Sequence, residues 1–155
     1  MTTREMGLFG EAETAKYLRK NGYTLLAHSY RCRFGEIDLI AQKKGMLCFV
    51  EVKLRSSDTH GLPREFVDGR KQEKLRKTAQ YYLMEKDLDV PARFDVAEVT
   101  VEQKDVPRVK EFHYIENAFL KRGDPICAFP ILMPTVIPSA AGTLCRCVNM
   151  RGSWI

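Results

Sequence analysis

The sequence lacks the cysteine patterns of secreted disulfide-bonded proteins and of structural zinc sites. Its 155 residues include five cysteines, an odd number without regular spacing, which argues against a secreted disulfide scaffold. Cys145 and Cys147 lack the paired spacing of a zinc site, and no histidine lies near them. The N-terminus carries Arg4 and Glu5 but no apolar signal core. We therefore expect a cytoplasmic protein.

Long apolar runs are also missing. A transmembrane helix needs roughly 20 consecutive apolar residues. The most apolar stretch, residues 126–137, is shorter and is interrupted by prolines, which break helices. We expect no membrane partner.

The bulk composition is that of a globular domain. Apolar residues make up 45% and charged residues 29% of the chain, and 155 residues are enough for one domain with a proper core. The net charge of +5 is mildly basic. This charge is compatible with a nucleic-acid partner and equally with an ordinary basic surface.

Two predicted strands, residues 35–41 and 49–53, organise the chain. Side chains alternate along a strand, so Glu51 and Lys53 point the same way. If the two strands pair antiparallel, Asp38 is carried close to Glu51. Two carboxylates and one ammonium then converge beside apolar strands. Oxygen ligands of this kind suit Mg²⁺ or Mn²⁺.

The second of these strands is apolar on both faces until its charges begin, which is typical of a central strand covered on both sides. Charges at the end of such a strand are uncommon unless they are paired or functional. On the residues alone, the alternative to a metal site is a structural ion pair, either Asp38–Lys53 or Glu51–Lys53.

The first of these strands should present alternating faces, with Glu36 and Asp38 on one and Ile37 and Leu39 on the other. The polar turn over residues 42–45, which ends in glycine, has hairpin character.

Residues 7–21 are predicted to form a helix, and residues 23–33 a strand. The apolar stripe expected on the helix consists of Leu8, Ala12, Ala15 and Leu18. Glu11 lies beside this stripe and should lean towards the body of the protein, where a carboxylate needs a partner or a metal. Arg31 and Arg33 share one strand face, where they either contact phosphate or discourage edge pairing.

Residues 69–86 are predicted to form a second helix with Asp68 as its N-cap. Its expected buried stripe consists of Leu75, Ala79, Tyr82 and Leu83. Five positive charges lie within eight residues, namely Arg70, Lys71, Lys74, Arg76 and Lys77. Such a run either forms a solvated helix face or follows the phosphates of a nucleic acid.

The remaining segments are a loop, two strands and a tail. Residues 54–68 read as a loop that could wall the site, and its His60 is more often unremarkable than catalytic. Strands are expected at residues 93–101 and at residues 107–115. Asp95 on the first of these is interpreted as a structural anchor rather than as a polar group that supports the site from outside. From residue 123 the chain holds four of its seven prolines and only three charged residues. We expect residues 123–155 to be a poorly ordered extension, arising from read-through or a frame change, or else an apolar arm that packs on a partner.

The spacing of Asp38, a gap of twelve residues and then Glu51-x-Lys53 resembles the core motif of the PD-(D/E)XK nuclease superfamily. The flanking segments are similar to the YraN-type family of small bacterial proteins, described as candidate endonucleases and similar to archaeal Holliday junction resolvases. Those segments are Gly10-Glu11 with Ala15, residues 35–41, residues 49–53 with Arg55, residues 93–96 and residues 117–119. The resemblance runs from about residue 7 to about residue 121.

This resemblance implies a fold and an activity. The implied fold is a restriction-endonuclease-like α/β domain over residues 1–122, with a central mixed sheet of about five strands flanked by helices in the order α-β-β-β-α-β-β. The implied activity is Mg²⁺- or Mn²⁺-dependent cleavage of DNA, with branched DNA favoured by similarity to the resolvases. Symmetric cutting of a four-way junction needs two active sites, so a homodimer is expected for that substrate.

The resemblance also assigns roles to residues. Asp38 and Glu51 hold the metal ion, Glu11 completes its ligand set or binds a second ion, and Lys53 orients the attacking water or stabilises charge on the phosphate. The residues expected to contact nucleic acid are Arg55, Arg70, Lys71, Gln72 and Lys74. The sequence is also compatible with two other functions: a non-catalytic nucleic-acid-binding module on the same scaffold, and an interaction protein whose tail docks a partner.

Overall fold

A computed structural model of the chain describes residues 2–56, 67–102 and 107–119. Within these residues lie two helices and five strands, in the predicted order α-β-β-β-α-β-β. The helices are α1 (Thr3–Lys20) and α2 (Gly69–Glu85), and the strands are β1 (Thr24–Cys32), β2 (Gly35–Lys43), β3 (Met46–Ser56), β4 (Ala92–Glu102) and β5 (Arg108–Ile115). The architecture is consistent with the restriction-endonuclease-like fold, as expected.

The strands form one mixed sheet in the order β1-β2-β3-β4-β5. Strands β3 and β4 are parallel, and every other neighbouring pair is antiparallel. The parallel pair needs a crossover connection, and α2 lies within it. Because β3 is third of five, it is the central strand that the apolar pattern on both of its faces predicted.

The two helices cover opposite faces of the sheet. Along β3, Leu47 and Phe49 pack in the cluster that contains the buried face of α2, whereas Cys48 and Val50 pack in the cluster that contains α1. The buried stripe predicted for α2 is confirmed, because Leu75, Ala79, Tyr82 and Leu83 are all buried. We refer to these two sides of the sheet as the α1 side and the α2 side.

The predicted apolar stripe of α1 is wrong in its first half. Leu8 is 52% exposed and Ala12 is also exposed. The helix instead buries Met6, Gly10, Thr14, Ala15 and Leu18. A Cβ added to Gly10 would lie 2.9 Å from Cδ1 of Leu54 on β3. This close approach turns the glycine towards the sheet and Leu8 away from it.

Two local signals place the ends of elements. Helix α1 begins earlier than predicted because Thr2 and Glu5 form a capping box, in which the Thr2 N–H donates to Glu5 at 2.7 Å and the Glu5 N–H donates to Thr2 at 3.3 Å. Between β2 and β3, Lys44 and Gly45 have φ angles of 50° and 79°. Positive φ at both central residues is the signature of a two-residue hairpin. The predicted hairpin is therefore confirmed, with a loop of residues 44–45 rather than 42–45.

Asp95 on β4 connects this strand to β5 and to the residues that follow β5. Its side chain is fully buried and accepts hydrogen bonds from the Tyr114 hydroxyl at 2.7 Å, the Asn117 N–H at 2.8 Å and Arg93 Nε at 3.1 Å. Arg93 also pairs with Glu116 at 3.0 Å. The interpretation of Asp95 as a structural anchor is therefore confirmed.

Three predictions concern segments that lie wholly or mostly outside the described residues. His60 and most of the loop over residues 54–68 lie outside the described residues, although β3 continues as far as Ser56. The extension over residues 123–155 lies outside them as well. Among the helices that are described, none combines the length and the apolar character needed to cross a membrane.

Candidate active site

The site begins where strands β2 and β3 separate. Their register runs from Lys43 opposite Met46 to Leu39 opposite Val50. One residue further, the Asp38 carboxylate accepts a hydrogen bond from the Val52 N–H at 2.8 Å. A side-chain oxygen thus takes the place of a backbone acceptor at the end of the ladder, which keeps the Asp38 carboxylate beside β3.

This arrangement overturns the alternation expected along β2. Ile37 packs on the α2 side, whereas Leu39 packs on the α1 side, although two residues that are two apart should share a face. The interruption falls at Asp38, whose side chain is bonded to the backbone of the neighbouring strand. The regular pleat therefore does not continue through this residue.

Glu51 lies on the α2 side of β3 and is only 5% exposed. Its partner is Lys71 in the first turn of α2, whose ammonium donates to Oε1 of Glu51. A buried carboxylate is costly without such a partner. The ion pair expected as the alternative to a metal site therefore exists in a different form, with Lys71 rather than Lys53 on Glu51.

Lys53 follows two residues later on the α2 side and lies opposite Glu98 in the parallel register of β3 and β4. Burial lowers the pKa of the Lys53 ammonium, and Glu98 opposes this effect. Arg55 pairs with the same Glu98 at 4.0 Å. The predicted nucleic-acid contact Arg55 is therefore held beside the site by a carboxylate that sequence reasoning missed.

Glu11 approaches from α1, on the other side of the sheet. Its carboxylate accepts a hydrogen bond from the Ser29 hydroxyl at 3.1 Å. Ser29 has a φ angle of 46° and lies between His28 and Tyr30, which pair with Leu39 and Ile37 on either side of Asp38. Glu11 is thus directed to the edge of the site through Ser29, rather than to the position of Glu51.

The pKa of Asp38 is affected by both of the other carboxylates, Glu51 and Glu11. The pKa of its carboxyl is raised from 3.8 to about 6, first by burial, next by the charge of Glu51 and then, more weakly, by Glu11. The hydrogen bond from Val52 and the charge of Lys71 act in the opposite direction. The charges of Glu51 and, more weakly, Glu11 therefore act on the Asp38 carboxylate at the end of the β2–β3 ladder, and bound positive charge would relieve this repulsion.

The donor set fits Mg²⁺ through two carboxylates rather than three. Over the described parts of the chain, no three His, Cys, Asp or Glu side chains are grouped to hold a metal ion. Mg²⁺ is usually bound by one or two carboxylates, with water and substrate phosphate as its other ligands. Asp38 and Glu51 could supply these two carboxylates. The ammonium of Lys71 pairs with Glu51, which shows that positive charge is favoured at the position where a metal ion would bind. Glu11 is not brought into that pair.

The other predicted contacts lie on α2. The Arg70 N–H donates to Asp68 at 2.7 Å, which confirms Asp68 as the N-cap, and the Arg70 side chain is exposed. The Gln72 amide donates to the Val67 carbonyl at 2.7 Å, so its placement serves the entry of the helix. Lys74 is exposed beside the tip of the β1–β2 hairpin.

A protein-family match and three relatives all point to one family. Residues 10–99, which include all four predicted catalytic residues, match the family described as "Uncharacterised protein family UPF0102". A UPF0102 protein of Acetivibrio thermocellus is 48% identical over 119 residues, covering 75% of this chain and 92% of its own. Those of Clostridium acetobutylicum and Alkaliphilus metalliredigens are 47% and 42% identical over 118 residues, covering 75% and 76% of this chain and 94% and 99% of their own.

Proposed function

The chain belongs to the UPF0102 family of YraN-type proteins, and we propose that it is a metal-dependent endonuclease that hydrolyses phosphodiester bonds in DNA. One observation carries the proposal. The Asp38 carboxylate ends the β2–β3 ladder and is coupled electrostatically to Glu51, while Lys53 follows on the side of the sheet to which Glu51 belongs. Two acids and an ammonium at the end of a central strand are the groups that phosphodiester hydrolysis needs.

Each residue has a chemical task in this proposal. Asp38 and Glu51 would hold Mg²⁺ or Mn²⁺, which polarises the phosphate and lowers the pKa of bound water. Lys53 stabilises the negative charge that grows on the phosphate oxygens, and its partial burial strengthens that interaction. The charge of Glu98 opposes the lowering of the Lys53 pKa that burial causes.

Lys71 is proposed to change partners when the site is loaded. Its side chain is 51% exposed, whereas that of Glu51 is 6% exposed. The ammonium can therefore leave Glu51 for solvent or for a DNA phosphate without losing a buried environment. Arg70 and Lys74, exposed on the same helix, would contact neighbouring phosphates.

The substrate part of the proposal is structured or branched DNA, cut by a homodimer in the cytoplasm. It draws on the similarity to junction resolvases, which is an argument from fold rather than from the site. A dimer would present the two active sites that symmetric cutting requires.

A second candidate function is a non-catalytic nucleic-acid-binding module. The Glu51–Lys71 ion pair favours it, because a buried carboxylate that already has an ammonium partner needs no metal ion. This candidate predicts salt-sensitive DNA binding without cleavage products in any metal.

The test is cleavage of linear, flapped, single-stranded and four-way-junction DNA by the full chain with Mg²⁺, with Mn²⁺ and with chelator. We expect cleavage that needs metal and is lost in Glu51→Ala and in Lys53→Ala. Glu13→Ala is the matched control, since Glu13 pairs with Lys16 on α1 and lies outside the site. Binding without products under every metal would select the second candidate.

A further inference from the structure

The tip of the β1–β2 hairpin is fixed against α2. A Cβ added to Gly35 would lie 3.2 Å from the Thr78 hydroxyl oxygen and 3.9 Å from Cβ of Lys74. An ion pair between Arg31 and Glu36 at 2.8 Å joins the two strands just behind the tip. The tip of the hairpin therefore lies directly beside α2.

This tip carries an exposed aromatic side chain. Phe34 is 36% exposed, and among the described residues it is the only aromatic one of the exposed large apolar side chains. Its ring meets that of Tyr81 edge to face at 5.8 Å. The Arg33 guanidinium lies 4.7 Å from the Phe34 ring centre and 5.8 Å from that of Tyr81. We call Arg33, Phe34 and Tyr81 the tip cluster.

A line of positive charge connects this cluster with the N-terminal end of α2. Arg70, Lys74, Lys77 and Tyr81 are spaced so that they follow one stripe of the helix. The three basic side chains are exposed, and Lys77 also pairs with Glu73 at 2.8 Å. At about 1.5 Å per residue the stripe is about 16 Å long, which is long enough to contact several phosphates of one DNA strand.

We propose that the tip cluster is a stacking site for an unpaired DNA base, about 16 Å from the phosphate of the same strand that is bound near the N-terminus of α2. Every base has a flat face that stacks on aromatic rings and on guanidinium groups. A base within a duplex is already stacked on its neighbours, so the cluster selects flaps, branches and single strands. The basic stripe leading to it matches the charge of a DNA strand better than that of an average protein surface.

The inference deepens the proposed function and rests on it for the orientation of the strand, but it can fail separately. The test measures binding of the full chain, by fluorescence anisotropy in chelator, to a duplex with a five-nucleotide unpaired tail and to the same duplex without the tail. We expect Phe34→Ala to weaken binding of the tailed DNA by about 5- to 150-fold, the range of one lost base stack. Binding of the plain duplex should be unchanged.

Two further variants identify the interaction as stacking. Phe34→Trp should restore binding of the tailed DNA, because tryptophan also stacks. Phe34→Ala should leave the salt dependence unchanged, whereas Lys74→Gln should reduce its slope by about one phosphate contact. Leu8→Ala is the matched control, since Leu8 is 52% exposed on α1, on the other side of the sheet.

The outcomes are distinct. Equal losses on both DNAs, or a Phe34→Trp variant no better than Phe34→Ala, would overturn the stacking site, and so would unchanged binding of the tailed DNA. Thermal unfolding checks each variant, and Phe34→Leu replaces Phe34→Ala if the latter unfolds. If the wild-type chain cleaves no DNA but its tailed-DNA binding depends on Phe34, the nuclease proposal fails and the stacking site stands.

Discussion

Replacing Asp38 by asparagine should make the protein more stable at neutral pH. The new amide side chain keeps an oxygen that can accept the hydrogen bond that the Val52 N–H now donates at 2.8 Å. The substitution removes a negative charge that burial, Glu51 and Glu11 all disfavour. The gain comes first from removing a buried charge and then from relieving its repulsion by Glu51 and Glu11, while the Val52 N–H keeps its acceptor.

The pKa of Asp38 sets the magnitude and the sign. A carboxyl whose pKa rises from 3.8 unfolded to about 6 folded binds its proton more tightly in the native state. Its contribution to stability is therefore fully present below about pH 4 and is lost as pH rises to about 6. At about 1.36 kcal/mol per pH unit the loss approaches 3 kcal/mol. We expect Asp38→Asn to recover about 1 to 3 kcal/mol at about pH 7.5, and almost nothing at about pH 4.

The assay is urea unfolding of the wild-type chain and Asp38→Asn at these two pH values in chelator. The difference between the two proteins at each pH isolates Asp38 from the other groups that titrate. A variant that is less stable than wild type at the higher pH, or equally changed at both, would refute the reasoning that the buried charge of Asp38, beside two like charges, opposes folding.

Three further predictions concern stability and metal binding. Asp95→Ala removes the acceptor of three buried hydrogen bonds and should lower the free energy of unfolding by about 3 kcal/mol. Glu116→Ala, at a side chain that is 54% exposed, should lower it by about 1 kcal/mol or less. Equal losses of the two variants in urea unfolding would contradict this prediction. Gly10→Val should cost about 1–3 kcal/mol by overpacking. Gly7→Val should cost less than about 1 kcal/mol in the same assay, because among the described residues no atom beyond the adjoining backbone of α1 lies within 4 Å of the added Cβ. Lys71→Met should tighten Mn²⁺ binding roughly tenfold in calorimetry by removing about 1.4 kcal/mol of charge competition, and weaker binding would show that the lysine supports the site.

The sequence predicted the fold well because its strongest patterns are local. The hairpin joining β2 and β3, the buried stripe of α2 and the Asp68 cap each follow from a few neighbouring residues. Strand β3 lies in the middle of the sheet, between β2 and β4. Charged residues such as Glu51 and Lys53 are uncommon at the end of a central strand unless they are paired or functional, so they indicated the site. Alternation along β3 was sufficient to put those two side chains on one side.

Three features could not be read from the chain because they depend on contacts distant in sequence. Gly10 and Thr14 are buried in α1 although neither is strongly apolar, since a close approach to β3 needs small residues and Thr14 donates to the Gly10 carbonyl at 2.8 Å. The Asp38 hydrogen bond to the backbone of β3 breaks the alternation that spacing predicts. The partner of Glu51 comes from α2, twenty residues later.

Glu98 is the site residue that sequence reasoning missed, although a signal was present. It alternates with buried Ala97 and Val99 in a strand that is otherwise largely apolar. Its meaning depends on the register that sets it opposite Lys53. That register is a property of strand pairing, so a single strand considered alone does not contain it.

Asp38→Asn also gives the most direct test of the proposed hydrolysis. The measurement is the rate at which the full chain cuts four-way-junction DNA with Mg²⁺ and with chelator, for wild type and for this variant. We predict metal-dependent cutting by the wild-type chain and none by Asp38→Asn, which remains folded and is more stable. Cutting by the variant at the wild-type rate, or cutting by either protein in chelator, would contradict a metal-dependent site at the end of the β2–β3 ladder.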